Sequence, residues 1–358
     1  MSTDTMLTDT LARLLTAKSG PADVQAAERA EGWNRGLWHE LAALGLTDIG
    51  NFDPDQALAD QLAILYQLGR HAATVPFLET VMIGQWLAQH VGLPAADGVL
   101  MVSTSPSIGM TAVRAGASWL LSGRTDKVPF ARIGDRLLIV ATGADGPVIA
   151  PVGAADCTLV PSVNMAGEPR DTVQLDGVPV PAADVHRLPD TASQEVLWER
   201  GALGRAAMMA GALQSALDLS VQYAKDRKQF GRPIGAFQAV QQNLAILAAE
   251  VTATRAMVTL AGRIQGGAHQ RAAVASAKAR AGRAAGIASR LAHQIHGAMG
   301  FTDEYPLQLF TRRLWSWRDE FGSDRDWMVV LGGLAARQGP GGLWPMITAA
   351  GDRTRDVA

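Results

Sequence analysis

The chain has 358 residues, a net charge of −2 and 48% hydrophobic residues. This length exceeds what one hydrophobic core usually organises, so we expect two or three packed subdomains. A charge near zero provides no bulk attraction to nucleic acid or anionic lipid, which excludes a general nucleic-acid-binding role. The single cysteine, Cys157, cannot form an internal disulfide. No cysteine and histidine cluster has zinc spacing, so no metal centre is predicted.

The first residues also bear on location. Asp4 and Asp9 stand among polar residues, so the basic start and apolar stretch of a signal peptide are missing. No apolar run reaches the length of a membrane span. We therefore expect a soluble, cytoplasmic protein with no membrane partner.

Residues 1–97 show helical periodicity. Asp53 followed by Pro54 is typical of a helix N-cap and first turn, and that helix is predicted to continue to Leu68. A further helix is predicted over about residues 76–90. Apolar residues recur at helical spacing in two groups, which are Leu7, Leu11, Leu14 and Leu15, then Leu37, Leu41 and Leu44. These patterns predict a helical N-terminal domain.

Residues 98–188 have a different pattern. Short apolar runs at residues 119–121, 137–140 and 148–150 are separated by glycine, proline and aspartate, which predicts strands and turns. Because the runs recur at close spacing without a helical stretch between them, an antiparallel arrangement is favoured over a parallel sheet. We therefore predict a small domain built as an antiparallel β barrel or sandwich.

Residues 189–358 return to the helical period. Three apolar stripes predict three long helices, and the alanine-rich third stripe is typical of a helix inside a bundle. The stripes are Leu203, Ala207, Ala210, Leu213, Leu217 and Val221; Phe237, Val240, Leu244, Leu247 and Val251; and Ala277, Ala281, Ala284, Ile287, Leu291 and Ile295. The predicted fold is mainly α: a helical N-terminal domain, a small antiparallel β barrel and a C-terminal four-helix bundle. That order alone indicates no function.

One stretch of the C-terminal region carries a distinctive turn. Residues 226–235 read Asp-Arg-Lys-Gln-Phe-Gly-Arg-Pro-Ile-Gly, and Phe237 and Gln238 follow. On physical grounds a long helix ends in a basic turn, glycine breaks it, and Pro233 begins a short link to the next helix. In an arbitrary sequence such a pattern is usually a hairpin of two helices with a solvated basic turn.

The whole string resembles the corresponding turn of acyl-CoA dehydrogenases, in which arginine, glutamine or threonine, phenylalanine and glycine precede a Phe-Gln or His-Gln pair. In that family the arginine and the phenylalanine reach the FAD of a neighbouring subunit. The resemblance implies that Arg227 binds the FAD pyrophosphate, that Phe230 contacts FAD and that Gln238 lies near the adenosine. A guanidinium suits the first role because its fork geometry matches phosphate oxygens.

A second stretch closes the third predicted helix. Residues 294–306 read Gln-Ile-His-Gly-Ala-Met-Gly-Phe-Thr-Asp-Glu-Tyr-Pro. Two glycines let backbone N–H groups approach a phosphate, although this spacing by itself usually marks only a helix C-cap. The stretch is similar to the family's Gln-x-x-Gly-x-x-Gly segment and the Glu-Tyr-Pro after it. The resemblance implies FAD contacts for Gln294, Gly297 and Gly300, while His296 is more simply structural.

The family's reaction requires a base. Desaturation of an acyl thioester removes an α proton with a carboxylate while a hydride leaves the β carbon for flavin N5. In most members the base is a glutamate followed by glycine and threonine or serine, after the Glu-Tyr-Pro segment. Here residues 319–323 are Asp-Glu-Phe-Gly-Ser, so Phe321 occupies the expected position and Glu320 lies one residue earlier. We take Glu320 as the candidate base and Ser323 as a candidate flavin contact.

Other positions also depart from the family pattern. Some members place the base at the start of the helix before the arginine turn. At the same distance before Arg227, this chain has Gly201. Glu199 lies two residues earlier, a rotation of about 200° on a helix, so an ion pair with Arg200 is the simpler interpretation. Residues 103–109, Ser-Thr-Ser-Pro-Ser-Ile-Gly, replace the family's acidic glycine-rich loop over the flavin. Residues 119–123 resemble the strand after that loop.

These features predict an FAD-dependent enzyme that desaturates an acyl-CoA substrate and passes electrons to an electron-transfer acceptor. Either the chain forms a homo-oligomer that uses Glu320, or it lacks the base and forms a heterotetramer with a related chain that supplies it. Split enzymes of the second kind occur among bacterial acyl-CoA dehydrogenases for steroid side chains. A helical scaffold without flavin, and an acyl-CoA oxidase or flavin monooxygenase of the same fold, are the alternatives.

Overall fold

The computed structural model describes residues 3–51, 54–94, 98–103, 109–264, 266–339, 341–342 and 344. Their contacts group the chain into two compact units. Unit 1 comprises Met1–Val24, Leu58–Ala73 and Ala202–Ala358, and unit 2 comprises Gln25–Ala57 and Thr74–Gly201. This grouping follows contacts and not single cuts in the sequence, so the domain boundaries at 97/98 and 188/189 stay predictions.

Helices form the first part of the described chain, in agreement with the helical periodicity. They are α1 (Thr3–Lys18), α2 (Pro21–Arg29), α3 (Arg35–Ala43), α4 (Pro54–Arg70), a π-helix (Leu78–Gln85) and α5 (Trp86–His90). The core positions Leu11 and Leu15 of α1 and Leu37 and Leu41 of α3 are buried. The helix α4 begins at the predicted Pro54, while the predicted N-cap Asp53 lies outside the described residues.

The predicted helix over residues 76–90 contains the π-helix, which continues directly into α5. Every residue from Leu78 to Gly84 is buried, so this segment has no solvent-exposed face. Gly84 is required by close packing, because a Cβ there would lie 2.9 Å from the Leu100 carbonyl oxygen. Such wide helical turns often occur near functional sites.

The strands of unit 2 form one sheet. They are β1 (Leu100–Val102), β2 (Met110–Ala115), β3 (Ser118–Pro129), β4 (Arg136–Gly143), β5 (Gly146–Gly153), β6 (Thr158–Val160), β7 (Arg170–Pro181) and β8 (His186–Arg187). Neighbours follow the order β6-β7-β3-β2-β4-β5-β8, and β1 also pairs with β4. The three apolar runs that predicted strands fall in β3, β4 and β5, as expected.

The prediction of an antiparallel β barrel was wrong. The sheet is open, with β6 and β8 at its edges, and it is mixed, because β1 and β2 both run parallel to β4. A parallel pair needs a long crossover connection, which is usually a helix. Here the strand β3 provides it: β3 pairs antiparallel with β2 and returns along the sheet, so β4 enters in the direction of β2. The missing helical period between the runs therefore did not exclude parallel pairing.

Helices return after Pro189, as predicted. They are α6 (Gln194–Asp226), α7 (Gln238–Arg263), α8 (Gly267–His296), α9 (Leu307–Trp317) and α10 (Asp324–Gln338). The three predicted long helices correspond to α6, α7 and α8. In unit 1 the alanine-rich α8 packs against α7, α9 and α10, which is the central position that its composition indicated. Its stripe residues Ala277, Ala281, Ala284 and Leu291 are buried.

Within unit 1, α4 and α6 cross at backbone contact. A Cβ on Gly69 of α4 would lie 2.0 Å from the Met208 carbonyl oxygen, and one on Gly211 of α6 would lie 2.0 Å from the Tyr66 carbonyl oxygen. No side chain larger than hydrogen fits at either position. The two glycines therefore fix how α4 lies on α6.

The helix α7 differs from the expectation that no segment could span a membrane. Among the described residues, α7 is the helix whose length and composition would allow it to cross a membrane. In its most apolar window, 28% of the residues are buried within the chain. The sequence pattern missed it because Glu250 interrupts the apolar residues. That carboxylate lies 2.5 Å from Arg280 of α8, an ion pair that suits a helix of a bundle. Core helices of soluble proteins also meet the length and composition criteria.

Candidate functional site

The arginine turn forms a tight β hairpin after α6. The strands β9 (Lys228–Gln229) and β10 (Arg232–Pro233) pair antiparallel. The two residues between them, Phe230 and Gly231, have φ angles of 51° and 80°, which is the signature of a type I′ turn. Arg227 immediately precedes β9 and is exposed. The hairpin therefore presents the aromatic ring of Phe230 three residues after the cation Arg227.

Phe230 is held in a strained conformation and presented to solvent. Its side chain is 92% exposed. A bulky residue at positive φ is rare and costs roughly 1–3 kcal/mol. The ring makes an edge contact with Phe237 at 6.1 Å, and the Arg232 guanidinium lies 4.3 Å from the centre of the Phe237 ring. An exposed aromatic side chain on a strained turn indicates contact with another molecule.

The second turn follows α8. Gly297 has a φ of 59°, and a Cβ added there would point into open space, so a ligand can approach the backbone at this position. Gln294, in the last turn of α8, is exposed. Gly300 is buried, and a Cβ there would lie only 3.0 Å from Nδ1 of His293. Gly297 therefore leaves access to the backbone, whereas Gly300 is required by packing.

Two histidines at the end of α8, His293 and His296, lie beside this turn. The His293 ring stacks on Phe301 at 4.0 Å, and its Nε2 lies 2.9 Å from Oγ1 of Thr311. His296 donates from Nδ1 to the Ala292 carbonyl at 2.8 Å. Burial lowers the pKa of both histidines below the usual value, so both rings are neutral at pH 7. These are the contacts of structural residues.

Residues of the hairpin and of the end of α8 line one concavity of unit 1, with a volume of about 560 Å³. Phe230 comes from the hairpin and Gln294 from the end of α8. Gln238 begins α7 between two residues at the rim of the concavity and is exposed. The remaining lining residues are Gln229, Ile234, Phe237, Ala239, Val240, Asn243 and Ile295. Folding thus brings the two distant motifs to one site.

The residues of this site fit a dinucleotide such as FAD. The exposed guanidinium of Arg227 suits a pyrophosphate, because its fork geometry matches phosphate oxygens. The exposed ring of Phe230 suits a planar group, and the open space beside Gly297 gives a ligand access to the backbone. A cation, an aromatic face and an open glycine turn are the elements that such a cofactor needs at a protein surface.

Glu320 and Ser323 lie in a separate turn between α9 and α10. Phe321 is buried at a φ of 54°, and its carbonyl accepts a hydrogen bond from Nε1 of Trp327 at 2.8 Å. Ser323 is the N-cap of α10 and forms a capping box with Asp326, to whose carboxylate its hydroxyl donates at 2.8 Å. Its hydroxyl therefore serves the helix, and a flavin contact of Ser323 stays a prediction.

Two buried cations beside this turn were missed by sequence reasoning. Arg205 of α6 is 1% exposed, and its Nη2 lies 2.8 Å from Oε2 of Glu320. Lys278 of α8 is fully buried, and its Nζ donates to the carbonyls of Arg318 and Gly322, each at 2.7 Å. The sequence carried no signal for Lys278, because α8 also contains Arg271, Arg280, Arg283 and Arg290 and the sequence does not distinguish the buried cation from these.

Arg200, in unit 2, has a different environment from the expected surface ion pair with Glu199. Its Nε donates to the Met82 carbonyl at 3.0 Å, and its guanidinium carbon lies 4.2 Å from the centre of the Trp86 ring. Burial lowers the pKa of Arg200 to about 9. The side chain is therefore anchored on the π-helix and α5.

The loop expected over the flavin is described only at its ends. Its residues 104–108 lie outside the described part of the chain, while Ser103 accepts a hydrogen bond from the Val140 N–H at 3.0 Å. Residues 119–123 lie in β3, the predicted strand. Within the described ranges, no group of three or more histidine, cysteine or acidic side chains could hold a metal ion.

Similarity to known proteins is strongest in sequence over the C-terminal helices. Residues 191–324 match the family model described as "Acyl-CoA dehydrogenase, C-terminal domain". "Acyl-CoA dehydrogenase IpdE2" of Mycolicibacterium smegmatis is 29% identical over 86% of this chain and 91% of its own length. "Acyl-CoA dehydrogenase FadE27" of Mycobacterium tuberculosis is 28% identical over 60% of this chain. The chain spans 62% of the length of FadE27, less than two thirds.

Solved structures share the fold over nearly the whole chain. A chain of the ChsE4-ChsE5 complex from Mycobacterium tuberculosis has a TM-score of 0.87 at 22% identity and covers 95% of this chain and 98% of its own. The glutaryl-coenzyme A dehydrogenase glutaryl-CoA complex has a TM-score of 0.83 at 22% identity, with 93% and 95% covered. Residues 191–324 are therefore an acyl-CoA dehydrogenase C-terminal domain, and over most of its length the chain is similar to proteins named acyl-CoA dehydrogenase.

Proposed function

We propose that this chain is a subunit of an FAD-dependent acyl-CoA dehydrogenase that introduces a double bond between the α and β carbons of an acyl-CoA thioester. The family consists of flavoprotein oxidoreductases that act on CH–CH groups. The observation that carries the proposal is the concavity of unit 1, in which Phe230 and Gln294 from the two family motifs meet.

Each predicted contact has a defined role in this proposal. Arg227 pairs with the pyrophosphate, and Phe230 packs on the FAD held by a neighbouring subunit. Gln238 lies near the adenosine, and the turn from Gln294 to Gly300 borders the same cofactor. When bound, FAD supplies the acceptor for the hydride that leaves the substrate. These roles rest on the family resemblance together with the exposure of the side chains.

An assembly of several chains is part of the proposal. The exposed ring of Phe230 and the mostly uncovered apolar surface of α7 both support a second chain on this side of unit 1. A structure with the same fold is described as a complex of ChsE4 and ChsE5, which supports a heteromeric assembly. We propose a heterotetramer, with a homo-oligomer as the alternative. Another neighbour is described as an electron transferring flavoprotein, which supports an electron-transfer partner. We propose a soluble, cytoplasmic enzyme.

The test is the retention of flavin. The purified chain, in the assembly in which it is isolated, is expected to be yellow with the absorption of bound FAD. Arg227→Ala is expected to weaken FAD binding at least tenfold, because a charge-assisted contact to phosphate contributes about 1.5–3 kcal/mol. The matched control is Arg263→Ala, an exposed arginine at the end of α7.

Two outcomes would contradict the proposal. A colourless chain that does not take up added FAD, alone or with its co-purifying partner, would favour a helical scaffold without flavin. An Arg227→Ala variant that retains FAD as tightly as the Arg263→Ala control would show that the family's role does not apply to Arg227. Turnover of acyl-CoA with an artificial electron acceptor then tests the reaction itself.

A further inference from the structure

The strongest cluster of charges outside the concavity lies at the turn between α9 and α10. Arg205 comes from α6, Lys278 from α8 and Glu320 from the turn itself, and all three belong to unit 1. The family resemblance suggested Glu320 as a base. Its contacts indicate a different role.

Arg205 is enclosed on several sides. Its Nη2 meets the Glu320 carboxylate at 2.8 Å, and its guanidinium carbon lies 5.5 Å from the Trp317 ring centre and 5.9 Å from that of Phe321. The arginine is 1% exposed, and its Nη1 lies 3.1 Å from Sδ of Met208. The guanidinium is thus held within the protein, with Glu320 supplying a counter-charge and the two rings supplying packing.

Lys278 holds the turn at both ends. Its Nζ donates to the carbonyl of Arg318, where the turn begins, and to that of Gly322, where it ends, each at 2.7 Å. Burial lowers the pKa of Lys278 to about 7, and the negative charge of Glu320 is the largest influence that opposes this shift. Glu320 therefore stabilises the protonated, hydrogen-bonding form of the lysine.

One carboxylate thus lies near two buried basic side chains. Its Oε2 contacts the Arg205 guanidinium, and a neutral group in its place would leave that guanidinium buried without this counter-charge, which the low dielectric of the interior makes unfavourable. A general base, in contrast, must lie within hydrogen-bond reach of the substrate proton that it removes. The same contacts direct the carboxylate toward α6 and leave only 17% of its side chain exposed.

We propose that Glu320 is a structural residue and not the base: as the counter-ion of the buried Arg205, it fixes the Arg318–Gly322 turn that Lys278 holds at both ends. This inference rests on the proposed function, since it concerns the turn where the family carries its base. It favours the assembly in which a related chain supplies the carboxylate that removes the α proton.

The deciding experiment is a double-mutant cycle on the purified protein. The thermal unfolding midpoint is measured for the parent, Arg205→Met, Glu320→Gln and the double variant. Each single variant is expected to lower the midpoint by at least about 3 °C, since each leaves a buried charge without its partner. The double variant is expected to show a smaller decrease in midpoint than the sum of the two single decreases, because the two charges are removed together.

The matched control is Asp319→Asn, which removes the neighbouring carboxylate. Asp319 is 61% exposed in its side chain and lies 3.4 Å from the exposed Arg318, so its loss should change the midpoint by less than about 1 °C. A Glu320→Gln midpoint equal to or above that of the parent would overturn the proposal. A double variant whose midpoint decreases by the full sum of the two single decreases would also overturn it.

A second measurement distinguishes the effect of the Glu320 charge from the effect of its packing. Because Glu320 favours protonated Lys278, Glu320→Gln should move the onset of the pH-dependent rise in unfolding free energy to lower pH. A residue that contributes packing alone would leave that onset unchanged, and an unchanged onset would count against the proposal.

The activity measurement addresses the base directly. In whichever assembly the parent turns over acyl-CoA, Glu320→Gln is expected to keep kcat within about threefold, corrected for the folded fraction. A loss of about 10²-fold or more is typical of a removed general base and would refute the inference. The unfolding cycle remains interpretable for a protein without flavin, so failure of the proposed function is distinguishable from failure of this inference.

Discussion

Lys278 combines full burial with an ionisable group. Its Nζ donates to two backbone carbonyls, and burial lowers its pKa to about 7, whereas a solvated lysine titrates near pH ~10.4. Around neutral pH the folded protein therefore holds this side chain in both protonation states. The stability of the turn before α10 is consequently linked to pH.

The sign of this linkage gives a testable prediction. Between about pH 7 and 10 the unfolded chain binds a proton at Lys278 that the folded chain has released, so the free energy of unfolding rises with pH over this window. Lys278→Met is expected to remove this contribution. Denaturant unfolding across the window measures it, with the exposed Lys225→Met as control. An unchanged pH dependence in Lys278→Met would contradict the assignment.

The candidate site could be predicted in part at this scale. The motifs identified Phe230 and Gln294, which line one concavity, because the residue types follow the family pattern. Arg205 and Lys278 could not be assigned, because their roles depend on which helices pack against the turn. Likewise, the ion pair that engages Glu320 joins residues from separate helices, and no local pattern encodes it.

At the scale of elements, the hairpin after α6 has an unfavourable residue at its tip. A type I′ turn prefers Asn-Gly, whereas here Phe230 adopts a φ of 51° before Gly231. A conformation that opposes the intrinsic preference of phenylalanine points to a function for the ring outside the chain. Stability and cofactor binding should therefore respond in opposite directions when this residue changes.

Phe230→Asn is expected to raise the free energy of unfolding by about 0.5–1 kcal/mol, because asparagine tolerates this conformation. The same variant is expected to retain less FAD, since it lacks the exposed ring. Chemical denaturation and flavin absorbance measure the two effects. Phe301→Asn is the control: Phe301 is also exposed but stacks on His293, so its replacement should lower stability. A destabilised Phe230→Asn variant would contradict the argument.

Helices were predictable from sequence because their apolar period depends on local spacing. The mixed sheet was not, because the direction of β4 relative to β1 and β2 is set by how β3 returns along the sheet. The π-helix at Leu78–Gln85 also gave no signal, since every residue from Leu78 to Gly84 is buried and no amphipathic stripe distinguishes its wider turn.

At the scale of the whole molecule, the proposed assembly predicts that α7 is covered by another chain. Ile246 is 47% exposed on this helix. Ile246→Glu is expected to raise the dissociation constant of the assembly by at least about tenfold and so to shift the protein toward a smaller species. The reason is that a charge cannot be buried in an apolar contact without a partner. Light scattering over a concentration series measures this. Thr259→Glu, on the same helix, is the control, and equal behaviour of the two would argue against an interface at Ile246.

The strand β1 has a consequence for the growing chain. Its residues, Leu100 to Val102, are apolar and buried, and they pair with β4 from Arg136 onward. Contacts between distant residues must overcome the entropy of closing the loop, whereas the β2–β3 hairpin forms from adjacent segments. During synthesis, β1 therefore leaves the ribosome before its pairing strand exists. Until β4 emerges, this apolar tripeptide is an unpaired segment open to chaperones and to aggregation.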